Sequence, residues 1–219
     1  MSAIPLASGG ALRLTGPMDG TVVVCMNGGV SRPVPGDWSP SIEWLVGRLA
    51  PEFPAVGFAE LRYRIKSWRE LDSLITDARA AVAAVREVGA QRIALLGFSA
   101  GGGAALACAA HDGIDEVIAL APWIPDRMDV SGLAGVRIRV FHGSRDGTRL
   151  GFVGVHPDHS LAGVQRLREA GADATHTVIR GAVHGIAIRP FGRTVALPHA
   201  RDWLALVRDE IAWFTADAG

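Results

Sequence analysis

Three residues of this 219-residue chain have types, and an order along the sequence, that fit covalent acyl chemistry: Ser99, Asp146 and His184. A serine hydroxyl is a weak nucleophile at neutral pH and needs a base within hydrogen-bond reach to take its proton as it attacks. Imidazole titrates near neutrality, so His184 can accept that proton and later return it to a leaving group. A carboxylate such as Asp146 would hold the imidazole in one tautomer and stabilise its protonated form. Ser99 sits in Gly97-Phe98-Ser99-Ala100-Gly101, a G-x-S-x-G pattern. The glycines fit a turn too tight for side chains at its flanks, leaving Ser99 at the tip.

These residues need elements to hold them. The run Arg92-Ile93-Ala94-Leu95-Leu96 before the turn reads as a buried strand, and Gly102 to Ala110 after it as an Ala-rich helix. Further strands are expected at 21–26, a continuous β-branched run, and at 55–61, 116–120, 136–142 and 174–179. Two short ones at 4–6 and 11–14 flank Ser8-Gly9-Gly10. Helices are expected from Ser39 or Ser41 to about 49, ended by Pro51 and Pro54, and at about 71–88 with Gly89 as C-cap. Two more are expected from Pro157 or Asp158 to 170, and at about 199–214. Ile42, Leu45, Val46 and Leu49 share one face of the first helix, and Leu71, Leu74, Ile75, Ala78, Val82 and Val85 one face of the second. Alternating strands and helices specify a mostly parallel central sheet with helices on both faces, an α/β fold, here read as a single domain over 1–219. Ligands of such sheets bind beyond the carboxyl ends of the strands. Asn27-Gly28-Gly29-Val30, Ser99, His142-Gly143-Ser144-Arg145-Asp146 and Gly181-Ala182-Val183-His184-Gly185 all fall there.

Composition narrows the classes. Lysine plus arginine number 22 and aspartate plus glutamate 22, a formal net charge of zero. That gives no general attraction to nucleic acid or an anionic membrane. Apolar residues make up 49% and charged residues 20%, an ordinary globular balance. Cys25 and Cys108 both fall in apolar stretches and read as small buried hydrophobes rather than a disulfide or metal site. The N-terminus lacks a basic region followed by an apolar core, and no apolar run approaches bilayer length; the expectation is a cytoplasmic protein without membrane or nucleic-acid partners. Nothing in the sequence specifies the oligomeric state.

The chain resembles the α/β-hydrolase superfamily, and in particular its small uncapped members of the dienelactone hydrolase-like and carboxylesterase-like kind. The resemblance covers nearly the whole chain. It rests on Gly97–Gly101, on His142 to Asp146 and on Gly181 to Gly185, in the order Ser, Asp, His. It implies a serine hydrolase acting on a small ester or thioester through an acyl-enzyme, with no cofactor and no metal. The oxyanion would be met by the backbone N–H groups of Ala100 and Gly29. Val30, Trp123, Arg149 and Phe152 are candidates for lining the pocket. Asn27 stands where the family commonly has histidine. The N-terminal hairpin is reduced, and residues 122–135 are too few for a lid domain. Dienelactone hydrolase itself carries cysteine at the turn, so the serine here favours a carboxylesterase role. The loop 148–155 is an unusual glycine-hinged insertion, and Arg145 and Arg149 beside it could meet an anionic substrate or simply be solvated.

Alternatives stay open at this level. The Gly-rich turn could bind phosphate at a helix N-terminus. Asp146 could only cap its turn, with Asp126 and Asp129 as rival acids. His184 could be a surface loop residue. His142 reads as buried packing, His156 and His159 as exposed or capping residues whose spacing lacks further metal ligands, and Trp38, Trp68 and Trp123 as core. A peptidase or a non-catalytic binding protein are the other functional readings of the same fold.

Overall fold

The structure, a computed structural model, describes residues 3–114, 116–147 and 154–216. Its centre is an eight-stranded sheet in the order β1-β2-β4-β3-β5-β6-β7-β8. The strands are β1 (Ile4–Pro5), β2 (Ala11–Thr15), β3 (Thr21–Met26), β4 (Val56–Arg62), β5 (Arg92–Phe98), β6 (Glu116–Leu120), β7 (Arg137–Gly143) and β8 (Asp173–Ile179). From β4 through β8 every pairing is parallel, and only the β1–β2 and β2–β4 pairs at one edge are antiparallel. The edge hairpin is small, with a β1 of two residues.

Side chains alternate across the sheet and meet a different helix set on each face. Val22, Val24, Met26, Ile93 and Leu95 join one cluster with α2 (Leu71–Glu87), α3 (Ala100–Asp112) and α4 (Pro157–Glu169). Val23, Cys25, Ala94, Leu96 and Phe98 join the other with α1 (Pro40–Glu52) and α5 (Ala200–Ala216). The sheet is therefore sealed on both sides, which is why its central strands are apolar without a break. Cys25 and Cys108 are buried free thiols. Ser39 caps α1, its hydroxyl accepting from Ile42 N at 3.3 Å. The helix does not stop before Pro51, as the sequence led us to expect. It takes the proline into its last turn, where the missing N–H forfeits one bond to the Gly47 carbonyl, and closes with Phe53 N donating to Leu49 O at 2.9 Å.

Two features have no counterpart in the expected pattern. A two-stranded hairpin, β9 (Ala187–Ile188) with β10 (Val195–Ala196), stands between His184 and α5. Asp77 is fully buried in α2, where its carboxylate accepts from Arg64 N at 2.7 Å. Between β6 and β7 the chain holds only a short 3-10 turn, Ser131–Leu133. No helix among the described residues is long and apolar enough to cross a membrane.

Candidate active site

The turn between β5 and α3 is forced by packing. A Cβ on Gly97 would meet Gly101 O, and a Cβ on Gly101 would meet Asn27 O, at less than contact distance. Strand, helix and the loop after β3 thus touch backbone to backbone. Ser99 takes φ +56° and ψ −121°, a conformation L-residues rarely adopt, because its N–H must donate to Leu120 O (2.8 Å) while its C=O accepts from Gly102 and Trp123. The strain raises its side chain out of the packed layer. Ser99 is half-buried, and its hydroxyl has no hydrogen-bond partner among the described residues.

Asp146 and His184 come together at the ends of β7 and β8. His184 Nδ1 lies 2.6 Å from Asp146 Oδ2. The two loops that carry them are stitched to each other: Arg145 N donates to Ala182 O (2.9 Å), and Gly181 N to Ser144 Oγ (2.8 Å). Beyond His184 the chain is pinned to α1, where Ser41 Oγ accepts from Ala187 N and donates to Ala187 O, both at 3.1 Å. The His184 ring rests against Phe98, the residue before Ser99, with centroids 4.9 Å apart and planes tilted by 41°. The imidazole is thereby placed beside the turn, without a hydrogen bond to the Ser99 hydroxyl in this structure.

Asp146 is almost wholly buried. Burial pushes its carboxyl pKa up, but the contacts with His142 and His184 outweigh it and hold the group below the usual carboxylate range. Oδ1 accepts from Val155 N at 3.0 Å. The rival acids are elsewhere: Asp129 is tied to Ser131 N at 2.9 Å in its own turn, and Asp126 offers its carbonyl to Arg166.

The loop after β3 supplies amide donors. Asn27 Oδ1 accepts from Gly28 N at 2.8 Å, which takes that N–H out of use. Neither the Gly29 nor the Ala100 amide has an acceptor among the described residues. Gly28 lies against the turn, a Cβ there falling 3.1 Å from Ser99 Cβ, and one on Gly29 would fall 2.5 Å from Trp68 N. Trp68 and Trp123, both half-buried, meet edge to face at 5.9 Å and 67°, joining the Gly29 loop to the turn. Val30 is 39% exposed on that rim, its carbonyl accepting from Trp68 N at 3.1 Å. Arg145 is exposed; Arg149, Phe152 and most of the 148–155 loop lie outside the described residues.

A second group of polar residues lies behind the first. His142, read from sequence as packing, is fully buried with Nε2 3.1 Å from Asp146 Oδ2. Its Nδ1 is 2.7 Å from Ser160 Oγ, which is in turn 2.8 Å from His176 Nε2. The signal that could have found it is the four-residue spacing of His142 and Asp146 at a strand end. His156 caps α4, Nδ1 accepting from Asp158 N at 3.3 Å. No group of three or more His, Cys, Asp or Glu side chains suited to a metal ion occurs among the described residues.

No protein-family model and no curated protein matches the chain. Solved structures do. Est1E from Butyrivibrio proteoclasticus superposes with a TM-score of 0.70 at 14% identity, covering 99% of this chain and 100% of its own. It has also been solved with ferulic acid bound, at TM-score 0.71 and 15% identity, with the same coverage of both chains. An α/β serine hydrolase homologue from Coxiella burnetii gives 0.69 at 16% identity, covering 95% of each chain. A hyperthermophilic esterase from Pyrobaculum calidifontis gives 0.68 at 16%, covering 98% of this chain and 85% of its own. The chain has the α/β-hydrolase fold.

Proposed function

We propose that the protein is a serine hydrolase of small esters or thioesters, with Ser99 as nucleophile, His184 as base and Asp146 as its orienting acid. The observation that carries this reading is the Asp146–His184 pair at 2.6 Å, set beside a serine in strained backbone whose hydroxyl is unspent. Ser99 Oγ attacks the substrate carbonyl as His184 Nε2 takes its proton. The oxyanion that forms is met by the Gly29 and Ala100 N–H groups, which no acceptor occupies among the described residues. Collapse expels the alcohol or thiol, which takes the proton from His184, and leaves Ser99 acylated. A water, deprotonated by the same imidazole, then hydrolyses the acyl-enzyme. Ionised Asp146 keeps Nδ1–H of His184 pointed away from the reaction and offsets the imidazolium charge.

The Trp68–Trp123 pair gives the site an aromatic wall. A neighbour of the same fold, Est1E, has been solved with ferulic acid. Aryl-bearing acyl groups therefore belong beside short aliphatic ones in the test. The test is hydrolysis of a panel of p-nitrophenyl acyl esters, acyl thioesters and aminoacyl substrates by the wild type and by Ser99→Ala. The reading expects turnover of at least one ester or thioester, lost in the variant. Turnover confined to aminoacyl substrates, or unaffected by the substitution, overturns it.

A further inference from the structure

His142 is the feature this mechanism leaves unused; the following rests on the reading of Asp146 as the reaction's acid. Its Nε2 lies 2.7 Å from Val155 O and 3.1 Å from Asp146 Oδ2. A carbonyl has no proton to give, and Asp146 is held ionised, so Nε2 carries the hydrogen. Nδ1 is then an acceptor, and the group facing it is the Ser160 hydroxyl at 2.7 Å. Ser160 Oγ can in turn accept from His176 Nε2 at 2.8 Å, with the Pro157 carbonyl, 2.9 Å away, as the hydroxyl's other acceptor. Donation then runs from His176 on β8 through Ser160 on α4 to His142 on β7, whose single Nε2–H lies between Val155 O and the more distant Asp146 Oδ2, and Asp146 accepts from His184 on its other side. Val155 closes the arrangement, its N–H on Asp146 Oδ1 and its C=O on His142. His142 and Ser160 are both fully buried, so neither can meet a substrate. The titratable neighbours around His142 are Asp146 on its own loop, His176 on β8 and His159 on α4.

We propose that His142 is a positioning residue. The Val155 carbonyl and ionised Asp146 fix its tautomer, the Ser160 hydroxyl holds its Nδ1, and its Nε2–H, together with Val155, sets how Asp146 faces His184 and how much of the carboxylate's charge His184 receives. Without His142, Asp146 Oδ2 has His184 as its one side-chain donor, becomes more basic, and holds the His184 proton more tightly. The acid limb of the pH–kcat/KM profile then moves to higher pH.

The experiment compares wild type, His142→Leu, His142→Gln and Ser160→Ala, each checked for folding by thermal melting. The expected losses in kcat, at little changed KM, are about 10- to 100-fold for His142→Leu and about 3- to 10-fold for Ser160→Ala. His142→Gln, whose amide N–H can stand near Nε2, restores most of the rate. The acid limb shifts upward by about half a pH unit in the leucine variant. A second readout does not need turnover: the low-field proton resonance of His184 Nδ1–H, recorded by NMR, moves in Ser160→Ala, although Ser160 does not touch His184. An unchanged resonance in Ser160→Ala, with a pH profile that superposes on the wild type, overturns the proposal. Absence of turnover in the wild type instead contradicts the hydrolase reading and leaves the resonance to decide the role of His142. If His142→Leu fails to fold, Ser160→Ala carries both readouts.

Discussion

The molecule sets a serine near histidine in two regions, and the two are opposites. Ser160 touches two imidazoles and the Pro157 carbonyl, so its hydroxyl is fully engaged, and it is sealed from solvent in the first turn of α4. Ser99 touches none of these. It sits half-buried at φ +56° with a helix N-terminus behind it, and among the described residues its hydroxyl is unpaired and two nearby amides are unoccupied. Proximity of serine to histidine is therefore a poor guide to a nucleophile. A nucleophile needs access, an unspent hydroxyl and a place for the oxyanion. A satisfied, buried hydroxyl between two imidazoles serves to hold the rings in place and to order a network.

This contrast can be broken most directly by deleting each hydroxyl. Ser99→Ala is expected to lower kcat by about 10⁴-fold or more, far beyond what Ser160→Ala costs, in steady-state assays on the best ester. Asp146→Asn comes next. It removes the charge and disturbs the tautomer of His184, and kcat is expected to fall by about 10³- to 10⁴-fold while substrate binding persists. Gly101→Ala tests the strained turn. The added methyl must displace the Asn27 carbonyl, and the melt is expected to show a loss of about 1–3 kcal/mol. Activity should fall further than stability does, because the Gly28–Gly29 loop moves with Asn27.

The smallest effects are in pH dependence, where two carboxylates diverge. Asp146 is depressed when folded, so its contribution to stability is present above the unfolded-state value and is lost as pH falls through the lower folded one. Glu116 goes the other way. Burial pushes it up to about 7, against the opposing pull of Arg137 at 3.3 Å, and its Oε2 has no partner among the described residues. Between the ordinary glutamate value, about 4.3, and about 7 the folded state binds more protons than the unfolded one. Stability therefore falls as pH rises through that window. Glu116→Gln should flatten this slope in melts taken from pH 5 to pH 8. An unaltered slope would mean that Glu116 titrates normally.

How much of this was legible in the sequence varies with the kind of contact involved. The run Thr21–Met26 declares itself because both its faces are covered. The Gly97–Gly101 turn is legible because only glycine fits where backbones touch. The β9–β10 hairpin is not, since two-residue strands carry no periodicity and depend on Ser41, 146 residues away in sequence, to hold Ala187. His142 looked like packing because its partners arrive from Val155 and from α4. Its four-residue spacing to Asp146 was visible, but which way the ring faces depends on how the loop closes.

The claim most open to direct test is that the strained, unpaired serine reacts and the buried one does not. Incubation of the wild type with a fluorophosphonate, followed by peptide mass spectrometry, should find the adduct on the peptide containing Ser99. Labelling should disappear in Ser99→Ala and be strongly reduced in His184→Ala. No adduct, under conditions that label other serine hydrolases, or an adduct on Ser160, would contradict the account.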